Sequence, residues 1–539
     1  MTTTNLDHLG LVAGIIDELG LVELTDEKIP PHKLQHISAG QVLKAMILNC
    51  LGFVSAPLYL FSQFFESKPT EHLLGPGIQP HHLNDDRIDC VLDDLYEQDT
   101  TTFFLEVATQ AADRFNVKAD VAHLDSSSIS VAGEYEPEPQ EEKVKNEEST
   151  KKAPIEICRG YSRDHRPDLK QFITNLVCSG DGGVPLWLKV TSGNVNDAQG
   201  FADIMSEFSK NWQMDGLFVI DAAFYNQTNL EKAKDLYWLS RVPLTLTAAK
   251  KLVQTDTSTL RSVPCQLKGY KMWEVEQEYG GIKQRWILVE NQTRKKDTSL
   301  WEKEIKRLER RLNREFKELK EQKFACEPDA RNSLLKFQKK LEFHQLIGVE
   351  IKAIYGKRGR PAQAAAAAGI QGYRIQGQLQ RQDTAAQQIQ CRKSRFILAT
   401  NQLDREAWPA EKLLEEYKDQ QKVERGFRFL KDPLFFTQSV FVKKAERVEA
   451  LALVMALTLM VYALAERRLR QELARQQETV FDQLKRPTAK PTFRWILQKF
   501  QGVHLAVVRT VKKINNLTAE RRKIARLMGP AIEKYYSTA

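Results

Sequence analysis

Cysteine is scarce in this 539-residue chain: the seven (Cys50, Cys90, Cys158, Cys178, Cys265, Cys326 and Cys391) are scattered, odd in number and never paired as C-x-x-C. That pattern argues against a zinc site or a disulfide framework and for a reducing compartment. The ten histidines show no ligand spacing, so no metal is assigned to them. No secretory leader is expected, because MTTTNLDHLG lacks both a basic start and an apolar run. Long hydrophobic runs are missing too. The most apolar stretch, ALALVMALTLMVYALA at 450–465, is shorter than the ~20 residues that cross a bilayer. Glu449 and ERRLR flank it as they would a buried helix of a soluble domain. A cytoplasmic protein with no membrane partner is therefore expected.

A chain of this length exceeds one ordinary core, so two to four domains are expected. Its hydrophobic fraction of 42% and charged fraction of 28% are those of a soluble globular protein. A net charge of +9 permits a polyanionic partner without requiring one. The charge is uneven: residues 1–100 carry five Lys/Arg against fifteen Asp/Glu, and residues 441–539 carry twenty against eight. By bulk electrostatics the C-terminal part is the better nucleic-acid candidate.

Along the chain, LDHLGLVAGIIDELGLVE and SAGQVLKAMILNCLGF have helical spacing, and NDDRIDCVLDDLYEQ reads as a helix capped by Asn84. Strand character begins at VAHLDSSSISVAG (121–133), followed by the charged, low-complexity EYEPEPQEEKVKNEESTKK, which reads as a solvated loop. QFITNLVCS and VPLWLKVTS flank Gly-Asp-Gly-Gly, a hairpin signal. A helix and then GLFVIDAAF, a buried central strand ending in an acid, complete an α/β layered pattern. From about 245 to 393 the composition changes. Trp301, Ile305, Leu308, Leu312, Phe316 and Leu319 make one stripe of an amphipathic helix, half of a possible helical hairpin. RFILATN (395–401) restores strand character and is expected to rejoin the sheet left at RVP (241–243).

Two lone carboxylates, Asp125 and Asp221, end apolar runs, a costly position unless paired or metal-bound. The stretch YKDQQKVERGFRFLKDP (417–433) supplies a third, Glu424. Tyr417, Gln420, Glu424 and Lys431 share one stripe of a helix, within about 60° at roughly 100° per residue. Three hard oxygen ligands from separate elements suit Mg²⁺ or Mn²⁺, and two such ions can drive phosphoryl transfer. Each acid also has an ordinary reading: an Asp after a strand is often a cap or turn residue, and a Glu in so charged a helix is usually solvated. The case rests on the constellation.

Asp125, Asp221 and Glu424, with the stripe Y-x2-Q-x3-E-x6-K, resemble the DDE transposases of bacterial insertion sequences that carry the YREK signature. HLDSSSISV, GYSRDHRPDLKQF (160–172), SGNVNDAQGF (192–201), FVIDAAFYN (218–226), FILATN and VFVKKAERVEAL (440–451) extend the likeness. The resemblance implies an α/β fold: a ribonuclease H-like catalytic domain (118–245 and 394–435) interrupted by a large insertion (246–393). A helical N-terminal domain (1–117) would recognise the element's ends, and a basic helical C-terminal region (436–539) could serve dimerisation and DNA contact. It implies that Asp125, Asp221 and Glu424 bind two Mg²⁺ ions, for which Mn²⁺ could substitute. Tyr417 and Lys431 would contact phosphates beside the cleaved end. The family's Arg is Gln420 here, which loses a charge and the guanidinium fork but can still donate to a phosphate.

Arg163, His165 and Arg166 are further DNA-contact candidates, against the alternative of a solvated loop fixed by Pro167. Arg358-Gly359-Arg360-Pro361 resembles an AT-hook core or is a plain basic turn. Trp238, Trp273, Trp286 and Trp301 could include one that stacks on an unpaired base, although core packing suits each better. The expected activity is cut-and-paste transposition by a nucleoid-associated homodimer on double-stranded DNA, binding inverted repeats and target. The rivals are a metal-dependent nuclease without strand transfer and a non-catalytic, transposase-derived DNA-binding protein.

Overall fold

The structure is a computed structural model. It describes the chain apart from residues 1, 33–34, 54–60, 132, 134, 136–152, 163–165, 196, 297, 342–343, 356–369, 383–388, 390, 422–425, 427–443, 509–510 and 538–539. Two compact units emerge: Met1–Ser240 with Gly280–Ile282 and Leu414–Ala539, and Arg241–Tyr279 with Lys283–Leu413.

A short strand, β1 (Thr2–Asn5), precedes the expected helices α1 (Leu9–Leu19), α2 (Leu21–Lys28), α3 (Ala39–Cys50), α4 (Phe61–Glu66), α5 (Thr70–Leu74), α6 (Asp85–Glu97) and α7 (Thr100–Phe115). Their ends follow local chemistry. Ser38 and Gln41 form a capping box on α3, and Asn84 caps α6 by accepting from Arg87 N, as the sequence predicts. Helix α1 stops where Gly20 takes φ 69°.

The sheet of the first unit runs β4 (Pro185–Ser192), β3 (Lys170–Ser179), β2 (Val121–Val131), β5 (Leu217–Ile220), β6 (Tyr237–Arg241). The expected hairpin is β3–β4, its turn made by Gly182 and Gly183 at φ 92° and 70°. Strands β2 and β5 pair in parallel, as do β5 and β6. Helix α8 (Asp197–Trp212) covers one face. Phe208 meets Trp187 and Phe218 edge-on, and Glu207 accepts from Lys189 at 2.7 Å. By strand alternation Leu186 and Leu188 point to the other face, where α7 packs on β4. A short helix, α9 (Gln227–Lys232), precedes β6.

In the second unit α10 (Thr247–Gln254) leads to β7 (Arg261–Val263), β8 (Tyr270–Tyr279) and β9 (Ile282–Asn291). Then come α11 (Gln292–Lys296), the expected amphipathic helix as α12 (Thr298–Glu321), and its hairpin partner α13 (Glu327–Gln338). A two-stranded ribbon of β10 (His344–Tyr355) and β11 (Ile370–Arg381) follows. RFILAT forms β12 (Arg395–Thr400), antiparallel to β9, and Val242 N, just past β6, donates to Ile397 O at 2.9 Å. Two nearly buried ion pairs brace this sheet, Arg285 with Glu274 at 3.1 Å and Arg395 with Glu290 at 2.7 Å. Each guanidinium also donates to backbone carbonyls, Arg285 to those of Gln402, Asp404 and Trp408. Such satisfaction is what a buried charge requires.

The chain returns to the first unit through the helix Ala410–Asp419 and a 31-residue helix, Ala445–Arg475. The latter extends well past the apolar run seen in the sequence and is long and apolar enough to cross a bilayer. Its most apolar window, of mean hydropathy 2.2, is nevertheless 94% buried among α1, α3, α6, α7 and β4. It is the core helix of the unit.

The C-terminal region, expected to be helical, also contains short strands. It holds β13 (Val480–Phe481), β14 (Pro487–Thr488), β15 (His504–Val508) and β16 (Val511–Asn515) among the helices Phe493–Lys499, Ala519–Met528 and Pro530–Tyr536. The N-terminal β1 adds to β15, pairing Thr2 with Val507. The two chain ends therefore share one body. The last helix lies so close on α1 that a Cβ at Gly14 would meet Ile532 Cα at 2.7 Å.

Charge follows the same pairing. Arg447 grips Asp93 at 2.6 Å and also Asp89, Arg468 bonds Glu18, and Lys534 reaches Asp17 at 2.8 Å. Part of the C-terminal positive charge is thus matched by the acidic N-terminal helices.

Candidate active site

The β-branched and serine-rich run VAHLDSSSISV makes β2 an extended central strand, while GLFVID gives the short, wholly buried β5. Their parallel register sets Leu124 beside Ile220. Asp125 continues β2 and Asp221 is the first residue past β5, so the register brings the two to neighbouring positions, roughly 5 Å apart at the backbone given ordinary strand spacing.

The two carboxylates are held differently. Asp125 is 8% exposed, and its Oδ1 accepts from Ser126 N at 2.8 Å. Asp221 sits where the chain leaves the sheet; its Oδ1 accepts from Ala223 N at 2.9 Å, and its carbonyl accepts from Ser240 Oγ at 2.8 Å. These bonds fix a turn that aims Asp221 beyond the strand end. Cys178, on β3 opposite His123, shares the Asp125 face. Burial, with the Asp125 charge second, pushes its thiol far above the usual range, so it stays neutral. That closeness was not anticipated from the sequence, because it depends on the β2–β3 register.

Neighbouring carboxylates at the end of a sheet repel each other, and a hard cation bound between them offsets that repulsion. Asp125 and Asp221 fit such an ion as oxygen donors. Among the described residues no cluster of three His, Cys, Asp or Glu could hold a metal. The third expected ligand, Glu424, lies outside the described residues, as do Lys431, Arg163, His165 and the Arg358–Pro361 motif.

Of the remaining candidates, Tyr417 is half-buried on the helix Ala410–Asp419, and Gln420, just beyond it, is 5% exposed and faces protein. Gly426 packs against the core helix, where an added Cβ would lie 3.0 Å from Leu459 Cδ2. Arg166 is exposed and holds Asp168 through two bonds of 2.9 and 2.8 Å. Trp238, Trp273 and Trp286 are core residues. Trp238 is fully buried, edge-on to Phe224 and Tyr225.

A family model described as a domain of unknown function (DUF4277) matches residues 1–109. No curated protein matches the chain. Among solved structures, a cryo-EM structure of a piggyBac transposase synaptic complex with hairpin DNA is similar at a TM-score of 0.38 and 9% identity. The likeness covers 93% of this chain and 83% of that one; so low a TM-score bears on neither fold nor function. A second family model, described as a transposase DDE domain, matches residues 118–461, which contain Asp125 and Asp221. With more than half of its length matched, the chain belongs to the transposase DDE domain family.

Proposed function

We propose that the chain is a DNA transposase that cuts the ends of an insertion sequence and joins them to target DNA. One observation supports this reading: Asp125 and Asp221 directly follow Leu124 and Ile220, a paired position of the parallel strands β2 and β5, inside the segment that matches the transposase domain. Glu424 completes the proposed trio. Two Mg²⁺ or Mn²⁺ ions bound there would supply the Lewis acidity that phosphoryl transfer needs.

The protein's own part is to fix charge and position. Asp125, anchored on a central strand, and Asp221, anchored by its turn, keep two negative charges from moving apart. Tyr417 and Lys431 would hold the strand being cut, with Arg163, His165 and Arg166 along the neighbouring duplex. Arg166 would exchange Asp168 for a phosphate, an easy trade for an exposed pair. Gln420 would reach a phosphate only by rotating out of its buried position. Two ends must be processed together, so a homodimer on DNA is part of the proposal.

The test is incubation with double-stranded DNA carrying the flanking inverted repeats, with and without Mg²⁺, and mapping of the ends. Mg²⁺-dependent cuts at the repeat boundary, with products joined to a second duplex, are expected. Cuts without joined products would favour a nuclease, and binding without cuts a non-catalytic DNA-binding protein.

A further inference from the structure

Residues 294–381 carry 22 Lys/Arg against 11 Asp/Glu, a net +11 that exceeds the +9 of the whole chain. The stretch comprises α12, α13 and the β10–β11 ribbon. Leu312, Phe316, Leu334, Phe337 and Ile375 form the core between helices and ribbon. The register gives each ribbon face a distinct chemistry. Leu346 opposite Leu379, Ile351 opposite Ile375 and Ala353 opposite Tyr373 face the helices. On the outer face Gln345 opposes Gln380, Ile347 opposes Gln378, Glu350 opposes Gln376 and Lys352 opposes Arg374; all eight are exposed. A core-facing ribbon needs only its apolar side. An outer row of amides flanked by cations is the surface that recognises a polyanion with hydrogen-bonding edges.

The dimensions agree. A two-stranded ribbon fits the B-DNA major groove, about 12 Å wide. Twelve residues per strand span roughly 40 Å, more than one helical turn of DNA. The register shift around Gly348 (φ 60°) adds twist of the kind that follows a groove. Along α12, Lys306, Arg307, Arg310 and Arg314 are exposed and in no ion pair among the described residues, so the positive field extends beyond the ribbon.

We propose that the outer face of β10–β11 enters the major groove of the duplex on which this chain acts. The glutamines would meet base edges, and Lys352 and Arg374 the flanking phosphates. Glutamine suits the first task because its amide donates and accepts together, matching adenine N7 and N6. Lys352 also lies 3.1 Å from Glu350, an exposed pair that a phosphate would displace. The proposal rests on the DNA-transposase reading for its ligand and goes beyond it in assigning the contact.

The experiment titrates the full chain, without divalent cations, against a duplex of ~40 bp, about four helical turns, carrying the flanking inverted repeat. An RNA duplex of the same sequence serves as control, since its narrow major groove excludes a ribbon. Dimethyl sulfate probing of guanine N7 reports groove occupancy. The wild type is expected to prefer DNA and to protect N7 positions. The exposed triple variant Gln376→Ala/Gln378→Ala/Gln380→Ala should lose that protection and bind about tenfold or more weakly. Lys352→Glu/Arg374→Glu should lower the slope of log affinity against log salt by about two. Variants that bind and protect like the wild type, while Mg²⁺-dependent cutting persists, overturn the ribbon assignment and leave the transposase reading standing. A wild type that binds RNA and DNA duplexes equally, without N7 protection, also overturns it. A wild type with no affinity for duplex DNA overturns both.

Discussion

At the scale of single residues, the account makes Asp125 and Asp221 indispensable and most other singled-out positions replaceable. Asp125→Ala or Asp221→Ala should abolish DNA cleavage. Removing a ligand ought to exceed the 10–100-fold loss typical of removing a ligand's hydrogen-bond partner. Circular dichroism and DNA binding should be unchanged, because neither carboxylate belongs to the apolar core. Trp238→Ala should instead lower stability by about 3–5 kcal/mol, as loss of a large core side chain does, measured by chemical denaturation. Cleavage per folded molecule should be retained. His8 makes a pH-dependent prediction. Its Nε2 lies 2.7 Å from Leu51 O and therefore donates, leaving no buried acceptor for a second ring proton. Burial, the largest cause, lowers its pKa to about 4 from 6.5. The unfolded chain then binds a proton that the folded one refuses between those values, so stability falls as pH drops from about 6.5 to about 4. The full loss is on the order of 3 kcal/mol. His8→Gln keeps the donor and should flatten that slope by about one proton in denaturation curves recorded across pH.

At the scale of elements, what the sequence made legible depended on whether the signal was local. The capped helix after Asn84, the hairpin around Gly182 and Gly183, the amphipathic α12, the strand that holds Asp125 and the strand before Asp221 all carry their cue within a dozen residues. The pairing of β1 with β15 does not: Thr2 meets Val507, and no local pattern announces a partner so distant. The β8–β9 hairpin carries a local cue as well. Gly280 and Gly281, at φ 62° and 71°, are the Gly-Gly turn that joins two alternating strands. The site itself was half legible. Residue type and the apolar runs before them marked the two aspartates, although β2 continues six residues past Asp125 rather than ending there, while the neutral Cys178 beside Asp125 came from register. Helix packing supplies a further prediction. Gly10 and Gly14 let the last helix rest on α1, and at Gly14 the obstructing atoms include backbone. Gly14→Ala should destabilise the first unit despite alanine's better helix propensity, and a lowered midpoint of thermal unfolding would show it.

For the whole molecule, charge and protons are distributed by unit. In the first unit His8 and His72 are both held below their ordinary range, chiefly by burial; His72 Nε2 lies 3.0 Å from the carbonyl of Tyr535 on the last helix. In the second, burial pushes Glu274 and Glu290 up, but hydrogen bonds from Arg285 and Arg395, with their charges, win and hold both below 4.5. Their contribution is complete above the ordinary glutamate range and fades only as pH falls through the lower folded values. Acidification from pH 7 to 5 should therefore loosen α1, α5 and the C-terminal helix first. Hydrogen exchange measured by mass spectrometry should show protection falling there while β8, β9 and β12 keep theirs. Equal loss in both sets of elements would contradict this ordering.

The central claim is that Asp125, Asp221 and Glu424, brought together from distant parts of the chain, share divalent cations. Mn²⁺ binding to the full chain, followed by electron paramagnetic resonance, tests it most directly. Saturable uptake of two ions, lost in Asp125→Ala, Asp221→Ala and Glu424→Ala alike, is the predicted result. Wild-type Mn²⁺ binding in any of the three variants would contradict it.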